Sequence, residues 1–331
     1  MMHCRIVGTG FAVPERIVTN DDLAKMIDTS DDWIRQRTGI EQRHWIVEGE
    51  SGTQLALLAS EQAIAAAGIA AGEIDAIIYA TSSPDHFAPG NGVFLQRALG
   101  VGTIPAIDIR TQCSGFVYAL SMADAYIRSG MWRTILVVGA EVQSTGMDKT
   151  SRGRNTAVIF ADGAGAVVVR AANEGEGSAI LGWDLHSDGD FAEKLWVDSP
   201  GSIYHPRNQK DHLDSKVWLE MDGKEVFRHA TTRMPESVRA ALANAGLPTA
   251  DITLLIPHQA NLRISEMVQK QLGLRDDQIF NNIQRYGNTT AGSIPIALNE
   301  ARREGRIANG GLLCLAAFGS GYTWAGALIR W

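Results

Sequence analysis

Short apolar runs alternate with longer amphipathic stretches along most of the chain. Each run consists almost entirely of apolar and small residues, as expected of a buried strand. The runs are 74–82, 134–142, 164–170, 252–258 and 311–319. Alanine-rich stretches with helical periodicity lie between them, at 53–67, 114–129 and 232–245. This alternation predicts an α/β fold in which sheets are covered by helices.

The pattern also repeats within the chain. Gly68 and Gly246 each follow an alanine-rich helix and precede a short loop and a strand. The shift along the chain that takes Gly68 to Gly246 also aligns the predicted strand at 134–140 with the one at 312–318. We therefore predict two pseudo-symmetric βαβ-rich halves, residues 1–172 and 173–331. The alternative is that two ordinary α/β segments happen to look alike. The polar segment 186–225 interrupts the pattern and predicts a long surface loop.

Composition narrows the class of protein. The 331 residues have a formal net charge of −7, with 45% hydrophobic and 20% charged residues. Such a chain is typical of globular proteins, and its acidic balance disfavours general nucleic-acid binding. No apolar run approaches the roughly 18 residues that span a bilayer, so no membrane span is predicted. Cys4, Cys113 and Cys314 lack CxxC spacing, which disfavours a disulfide framework or zinc ribbon and favours a reducing cytoplasm.

Cys113 lies between a predicted strand at 104–110 and a predicted helix that begins at residue 114. At a helix N-terminus the unpaired amides and the dipole favour a thiolate, which lowers the cysteine pKa from about 8.5. The small residues Ser114 and Gly115 leave room for another molecule. Cys113 is therefore a candidate nucleophile, and the alternative is the buried, inert cysteine that is usual for this residue type. Cys4 and Cys314 lie inside strand runs and are expected to be inert.

Partners for this thiol are expected at corresponding places in the second half. His258 ends a predicted strand, and Asn288 lies in a glycine-bounded turn before the helix that aligns with that of Cys113. Gly319-Ser320-Gly321 can turn sharply and present backbone N–H groups, as an oxyanion hole requires. Taken singly, His258 also fits a core histidine, Asn288 a plain turn residue and residues 319–321 a β-bulge. The glycines at 161–169 precede a strand and lack the spacing of a dinucleotide-binding loop, so no such loop is predicted there. No metal-ligand spacing occurs in the sequence, so no metal is predicted.

Four motifs together resemble β-ketoacyl-acyl carrier protein synthase III of the thiolase superfamily. They are QCSGFVYAL (112–120), PHQANLRI (257–264), YGNTTAGSIPIAL (286–298) and FGSGYTWAGAL (318–328). TSDDWIRQRTGI (29–40) and DGAGAVVV (162–169) also match, so the resemblance runs nearly end to end. It implies a thiolase-like five-layered αβαβα fold, which is itself an internal duplication.

The resemblance implies a decarboxylating Claisen condensation. Cys113 would take an acyl group from acyl-coenzyme A, and His258 and Asn288 would stabilise the enolate formed from a malonyl thioester on acyl carrier protein. The backbone amides of Cys113 and Ser320 match the oxyanion hole, and Phe318 matches the ring beside the nucleophile. No permanently bound cofactor is implied, since the coenzyme A thioester is a substrate.

The resemblance also suggests where the two substrates bind. The residues that match the family's coenzyme A contacts are Trp33, Arg37 and Arg152. Flat aromatic and guanidinium faces suit a purine, and arginine suits phosphate. A further set matches the basic patch that docks acyl carrier protein: Arg228, Arg263 and Lys270. The family is homodimeric, so residues 84–90 are expected to cross the interface.

Two departures from the family bear on specificity. Ser320 replaces a glycine of the family's triplet, which places a hydroxymethyl group near the oxyanion hole. Ala88 stands where short-primer members have a bulky aromatic, and it would floor the partner's acyl pocket. A small residue there predicts a medium, long, branched or aromatic starter. Other interpretations are a related acyltransferase or condensing enzyme of secondary metabolism, such as alkylquinolone-type synthesis, and a non-catalytic scaffold.

Overall fold

The computed structural model describes residues 3–172, 177–204 and 216–331. The strands in these ranges are β1 (His3–Ala12), β2 (Ile17–Thr19), β3 (Gln42–His44), β4 (Ala76–Ala80), β5 (Ala106–Ile109), β6 (Thr134–Glu141), β7 (Gly163–Ala172), β8 (Ala179–Ser187), β9 (Leu195–Trp196), β10 (Glu220–Met221), β11 (Ile252–Pro257), β12 (Leu312–Gly319) and β13 (Thr323–Arg330). The helices are α1 (Asn20–Ala24), α2 (Asp31–Thr38), α3 (Gly52–Ala67), α4 (Asn91–Leu99), α5 (Gly115–Arg128), α6 (Arg154–Ala157), α7 (Gly223–Ala245), α8 (Leu262–Leu272), α9 (Ile283–Tyr286) and α10 (Ser293–Arg303).

Two mixed sheets form the frame of the molecule. The first has the strand order β1-β7-β6-β4-β5 and the second the order β11-β12-β13-β8. In the first sheet β4 runs parallel to both β5 and β6, and in the second β11 runs parallel to β12, whereas the other neighbours are antiparallel. Parallel neighbours need a crossover connection, and α5 and α10 lie on those connections. The five apolar runs predicted as strands are β4, β6, β7, β11 and β12.

Each sheet is buried on both faces, which explains why its central strands lack polar alternation. On β4, Ile77 and Tyr79 pack outwards under α3, while Ile78 packs inwards. The inward cluster also holds Phe116 of α5 and Ile294 of α10, so these two helices lie between the sheets. Helices α7 and α8 cover the outer face of the second sheet. The five layers confirm the predicted thiolase-like αβαβα fold.

The internal repeat is visible element by element. The shift that takes Gly68 to Gly246 also takes the turn Gln112–Ser114 to the turn Thr290–Gly292, and each turn leads directly into a helix between the sheets. Strands β6 and β12 are related by the same shift at both ends. Gly68 and Gly246 both terminate their helices in the left-handed conformation, with φ of 66° and 68°. The two pseudo-symmetric halves are therefore a feature of the backbone as well as of the sequence.

The halves differ at one sheet edge. Strand β5 pairs with β4 over four residues, beginning with Ile77 and Ala106, whereas the corresponding place in the second sheet holds only a single bridge from Leu255 to Ile279. The central core draws side chains from both halves. The boundary between 172 and 173 stays a prediction, since residue 173 lies outside the described ranges.

The segment 186–225 is only partly as predicted. Residues 205–215 lie outside the described ranges, but the flanking residues form β9 and β10, and Leu195 is buried. Helix α7 begins at Gly223, ahead of the predicted start at 232. Within the described ranges no helix is both long and apolar enough to cross a bilayer.

Candidate active site

Cys113 lies in the turn between β5 and α5, with only 6% of its surface exposed. The second sheet approaches this turn very closely, because a Cβ added to Gly319 would lie 2.9 Å from both the backbone nitrogen and the Cβ of Cys113. Glycine is therefore required at position 319. The backbone N–H groups of Cys113 and Ser320 both face the thiol. Their role as an oxyanion hole stays a prediction.

The predicted low pKa of Cys113 is wrong. Burial raises the pKa of the thiol to about 12, and the nearby carboxylate of Glu141 adds to the increase. The backbone amides of Cys113 and Ser320 act in the opposite direction but are outweighed. Removal from water disfavours the charged form of an acid, and the sequence could not reveal how deeply this turn is buried. The thiol of Cys113 is consequently protonated at rest.

His258 follows β11 and is held by its backbone and its ring. Its N–H donates to the carbonyl of Ala316 at 2.7 Å, and its Nδ1 lies 2.6 Å from Oγ of Ser293. Ser293 Oγ also accepts from the N–H of Gln259, and the ring tautomer decides which of Nδ1 and Oγ donates in the bond between them. The Nε2 atom is buried and has no partner within the described ranges. Burial lowers the pKa of His258 to about 3, so the ring is neutral.

Asn288 is oriented by the turn that contains it. Its side-chain Oδ1 accepts from the N–H of Thr290 at 2.8 Å, which leaves the NH₂ group as the free end. Its backbone is held by Ile159 and Ala161, each through one hydrogen bond of 2.9 Å. The preceding Gly287 has a φ of 65°, and a Cβ there would approach the Ile159 carbonyl oxygen to 3.1 Å. The glycine thus allows the close approach that fixes the amide.

The three predicted catalytic side chains line one cavity of about 550 Å³. Cys113, His258 and Asn288 lie in its wall together with Phe318, whereas most of the remaining lining is apolar. Its mouth carries positive and aromatic groups from three helices: Trp33, Arg37, Lys224 and Arg263. A second cavity, of about 250 Å³, also reaches Cys113 and includes Gln112 and Ser320. The thiol thus lies where two cavities meet.

The predicted coenzyme A contacts stay a prediction, but the structure groups the arginines near Trp33 differently from the predicted set. Arg37 lies over one side of the Trp33 ring at 4.3 Å, but the second guanidinium on that ring belongs to Arg154, at 4.1 Å, and not to Arg152. Arg152 instead pairs with Asp148 at 2.6 Å and is largely exposed. The two arginines lie close together in a tight turn that leads into α6, and their side chains diverge.

The hydroxymethyl group of Ser320 does not project towards the thiol. Its hydroxyl donates to the backbone carbonyl of Leu195, which ties the turn after β12 to β9. Leu195 and its neighbour Trp196 line the second cavity. The serine therefore anchors part of the segment that the sequence predicted to be a surface loop, while its backbone N–H remains directed at Cys113.

Two further sets of predicted residues lie away from the thiol. Ala88 is exposed and lines neither cavity of the single chain, so its place in a partner's acyl pocket stays a prediction. Arg228 on α7 is exposed but pairs with Glu225 at 2.6 Å. Arg263 and Lys270 lie on α8, and Arg263 is exposed 5.9 Å above the ring of Phe227 at the cavity mouth. The docking role of this surface also stays a prediction.

Sequence reasoning missed Ser293 and Glu141. Ser293 lies inside a quoted motif, but nothing local reveals that its hydroxyl reaches a histidine 35 residues away. Glu141 ends β6 fully buried and accepts hydrogen bonds from Ser82 and Ser83. Burial raises the pKa of Glu141, and these hydrogen bonds oppose the increase. The sequence did contain a signal for Glu141, because an acidic residue at the end of an apolar strand is unusual and indicates a buried charge. No group of three or more potential metal ligands occurs in the described part of the chain.

Comparisons with known proteins agree with this geometry. The family model described as 3-oxoacyl-[acyl-carrier-protein (ACP)] synthase III matches residues 107–189, and the model of its C-terminal part matches residues 242–331. The curated β-ketoacyl-[acyl-carrier-protein] synthase III of Xanthomonas campestris pv. campestris is 45% identical over 330 residues, which cover 100% of this chain and 99% of that protein.

Solved structures are similar over the same length. The crystal structure of 3-oxoacyl-[acyl-carrier-protein] synthase III from Aquifex aeolicus VF5 has a TM-score of 0.91 and 39% identity, covering 99% of this chain and 100% of that one. The priming β-ketosynthase from the R1128 polyketide biosynthetic pathway has a TM-score of 0.91 and 31% identity, covering 99% and 96%. With this identity over its full length, the chain belongs to the β-ketoacyl-[acyl-carrier-protein] synthase III family.

Proposed function

We propose that the protein is a decarboxylating condensing enzyme that joins an acyl group from acyl-coenzyme A to a malonyl group on acyl carrier protein. The observation that carries the proposal is the convergence of a thiol, a neutral imidazole and an amide side chain on one cavity. The product is a β-ketoacyl thioester for fatty-acid synthesis.

In the first half-reaction Cys113 becomes acylated. Its sulfur attacks the thioester carbonyl of acyl-coenzyme A, and the resulting oxyanion accepts hydrogen bonds from the backbone N–H groups of Cys113 and Ser320. Collapse expels coenzyme A, which leaves with the proton that the thiol has lost. Covalent capture divides one difficult carbon–carbon bond formation into two easier steps.

In the second half-reaction the malonyl thioester carbonyl accepts hydrogen bonds from Nε2–H of His258 and the NH₂ of Asn288. Loss of carbon dioxide leaves an enolate whose negative charge these neutral donors stabilise. The enolate carbon attacks the acyl carbonyl on Cys113, and the sulfur departs and regains a proton. A neutral His258 suits this role, because its lowered pKa keeps the Nε2 proton in place as a hydrogen-bond donor.

Substrate binding is assigned to the two sides of the cavity mouth. Trp33, Arg37 and Arg154 present ring and guanidinium faces for the adenine and phosphates of coenzyme A. Arg263 and Lys270, with Arg228, present positive charge to acidic acyl carrier protein, which accelerates encounter. We further propose a cytoplasmic homodimer with no permanent cofactor, in which Ala88 of each protomer closes the partner's acyl pocket.

Intact-protein mass spectrometry tests the first half-reaction. The protein is exposed to a panel of acyl-coenzyme A thioesters, and each reactive acyl group should add its mass once, at Cys113. Malonyl-acyl carrier protein carrying a label in its free carboxylate should then release labelled carbon dioxide in step with β-ketoacyl product. Absence of acylation by every thioester contradicts the proposal, and product without carbon dioxide points to a non-decarboxylating relative.

A matched pair of variants tests the coenzyme A site. Arg154→Ala should raise the KM for acyl-coenzyme A about tenfold, because one guanidinium contact with Trp33 and the cofactor is lost. Arg152→Ala is the control and should change KM less than twofold. Equal effects of the two substitutions would contradict the assignment of Arg154.

A second candidate is a starter condensation in a specialised pathway. It is favoured by the full-length similarity to the R1128 priming β-ketosynthase. The same acylation panel separates the two, since a primary fatty-acid enzyme should accept a simple alkanoyl group fastest. Preference for a functionalised starter would favour the specialised role.

A further inference from the structure

Arg43 is a buried cation that the proposed mechanism does not use. It lies in β3, and none of its surface is exposed. Its guanidinium donates to the carbonyl of Val18 at 3.2 Å, to Oδ1 of Asn20 at 2.8 Å and to the carbonyl of Val158 at 3.0 Å. Burial lowers the pKa of Arg43 to about 10, and the carboxylate of Asp31 opposes the decrease, so the group stays charged at neutral pH.

The surroundings of this cation make it costly to bury. All three of its acceptors are neutral, and its Nε has no partner within the described ranges. A charge that leaves water and meets only neutral acceptors regains part of its hydration energy but not all of it. An apolar side chain of similar volume would fill the same space without that cost. The groups that Arg43 joins therefore indicate what it does.

On one side Arg43 holds α2 through Asn20. The NH₂ group of Asn20 donates to Oδ1 of Asp31 at 2.7 Å and to the carbonyl of Ile40 at 2.8 Å. Asp31 is the first residue of α2 and Ile40 lies just past its end, so one amide ties both ends of the helix. Because arginine only donates, Oδ1 of Asn20 is the acceptor and the orientation of the amide is fixed. Helix α2 carries the aromatic ring of the proposed coenzyme A site.

On the other side Arg43 holds the residue that follows α6. The carbonyl of Val158 comes directly after this short helix, where backbone acceptors lack a partner within the helix. Helix α6 begins at Arg154, whose guanidinium lies 4.1 Å from the centre of the Trp33 ring. Val158 itself lines the larger cavity. One buried guanidinium therefore joins the two helices whose side chains meet at the Trp33 ring.

We propose that Arg43 is a positioning residue for coenzyme A, which sets the distance between α2 and α6 and thereby the contact of Arg154 with the Trp33 ring. Arg43 does not line the cavity, so it acts only through Asn20 and Val158. The inference rests on the proposed condensing function, because that function requires coenzyme A at this ring. A binding site depends on supporting residues that hold its groups in place.

Coenzyme A binding and acylation of Cys113 test the inference on the full chain. Arg43→Met removes the hydrogen bonds but keeps an unbranched chain. Its Kd for coenzyme A, measured by titration calorimetry, and its KM for acyl-coenzyme A should both rise about tenfold, because Arg154 no longer lies against Trp33. The maximal rate of acylation should change less than about twofold, since Cys113 lies in another element. Arg43→Lys keeps the charge and one hydrogen bond, so both constants should rise only about threefold.

Two further variants separate positioning from stability. Asn20→Ala cuts the link to α2 but leaves the bond from Arg43 to Val158, and it should raise the Kd for coenzyme A about fivefold. Arg128→Met is the matched control, because Arg128 also donates to a backbone carbonyl, that of Ile180 at 2.8 Å, and neither residue lines the cavity. It should leave this Kd within about twofold of the unsubstituted protein. If circular dichroism shows Arg43→Met to be unfolded, Asn20→Ala decides by the same criterion.

The outcomes distinguish this inference from the proposed function. An unchanged Kd and KM in Arg43→Met and Asn20→Ala overturn the inference, and so does an equal loss of binding in Arg128→Met. A fall in the maximal acylation rate without a rise in KM also overturns it, because that result marks general damage to the fold. If the unsubstituted protein neither binds coenzyme A nor is acylated, the proposed condensing function itself is overturned.

Discussion

The turn Gln112–Ser114 in the first half and the turn Thr290–Gly292 in the second share one backbone shape but carry different side chains. Gln112 and Thr290 have φ values of 47° and 45°, and these are the only positive values for non-glycine residues in the described ranges. One turn presents the thiol of Cys113, whereas the other has Ala291 at the same place. The duplicated backbone therefore supplies a shape, and single side chains decide what it does.

The hydrogen-bond donors show the opposite distribution. The shift that relates the two turns also relates His258 and Ser293 of the second half to Ala80 and Gly115 of the first. A Cβ on Gly115 would lie 3.1 Å from Cβ of Ala80 and 3.4 Å from Cβ of Ala291, so this place has no room for a ring and its partner. The candidate nucleophile thus lies in the first half and the side chains of the candidate donors lie in the second, and all of them line one cavity.

The largest expected effect comes from making the first turn resemble the second. Cys113→Ala should reduce acylation and condensation by more than about 10³-fold, because no other nucleophile replaces the thiol. Mass spectrometry and product assay measure the loss, and circular dichroism should show a folded protein. Cys314→Ala is the control, since that thiol is buried in β12 and should leave acylation intact. Continued acylation of Cys113→Ala would remove the distinction between the two turns.

Making the second half resemble the first should affect only the later step. His258→Ala reproduces Ala80 and should slow condensation by about 10²–10³-fold, the usual loss for one oxyanion donor, while acylation persists. Stopped assays of acyl-enzyme and of product distinguish the two steps. His186→Ala, which changes an exposed histidine that lines neither cavity, should alter both rates less than twofold. Equal loss of both steps in His258→Ala would contradict the division of labour.

A smaller effect is expected from the residue behind the ring. Ser293→Ala removes the hydroxyl that shares a hydrogen bond with Nδ1 of His258 and should slow condensation about five- to tenfold, since one net hydrogen bond is worth about 1 kcal/mol. The rate of acylation should be unchanged. Ser121→Ala is the matched control, because among the described residues that hydroxyl bonds only the Tyr118 carbonyl on α5. An unaffected condensation rate would show that Ser293 does not hold the tautomer.

A separate prediction concerns stability and its dependence on pH. The unfolded imidazole gains a proton near pH 6.5, whereas burial lowers the pKa of His258 in the folded protein to about 3. The unfolded state therefore binds the extra proton between these values, and the free energy of unfolding falls as the pH drops. His258 contributes at most about 1.4 kcal/mol per pH unit to this slope. Denaturant titrations from pH 7 to 4 should give a shallower slope for His258→Gln, and identical slopes would contradict the lowered pKa.

The sequence by itself determined the repeat and the candidate catalytic residues. A constant shift between the two halves is a one-dimensional property, and the structure reproduces it in β6 and β12 and in the two turns. Each of the three candidate residues, Cys113, His258 and Asn288, lies in a turn or directly after a strand. The duplicated order of strands and helices places these turns at corresponding edges of the two sheets. Their convergence on one cavity follows from that topology.

Tertiary structure decided the properties that depend on distant neighbours. The pKa of Cys113 is raised because layers from both halves exclude water, which outweighs the local amides on which the prediction relied. Arg154 reaches Trp33 in place of Arg152 because a tight turn separates side chains that are close together in the chain. The hydrogen bond between Ser293 and His258 likewise joins residues from separate segments. The sequence pattern gives the residue types in each segment, whereas the burial and the contacts of those residues are set only when the segments pack together.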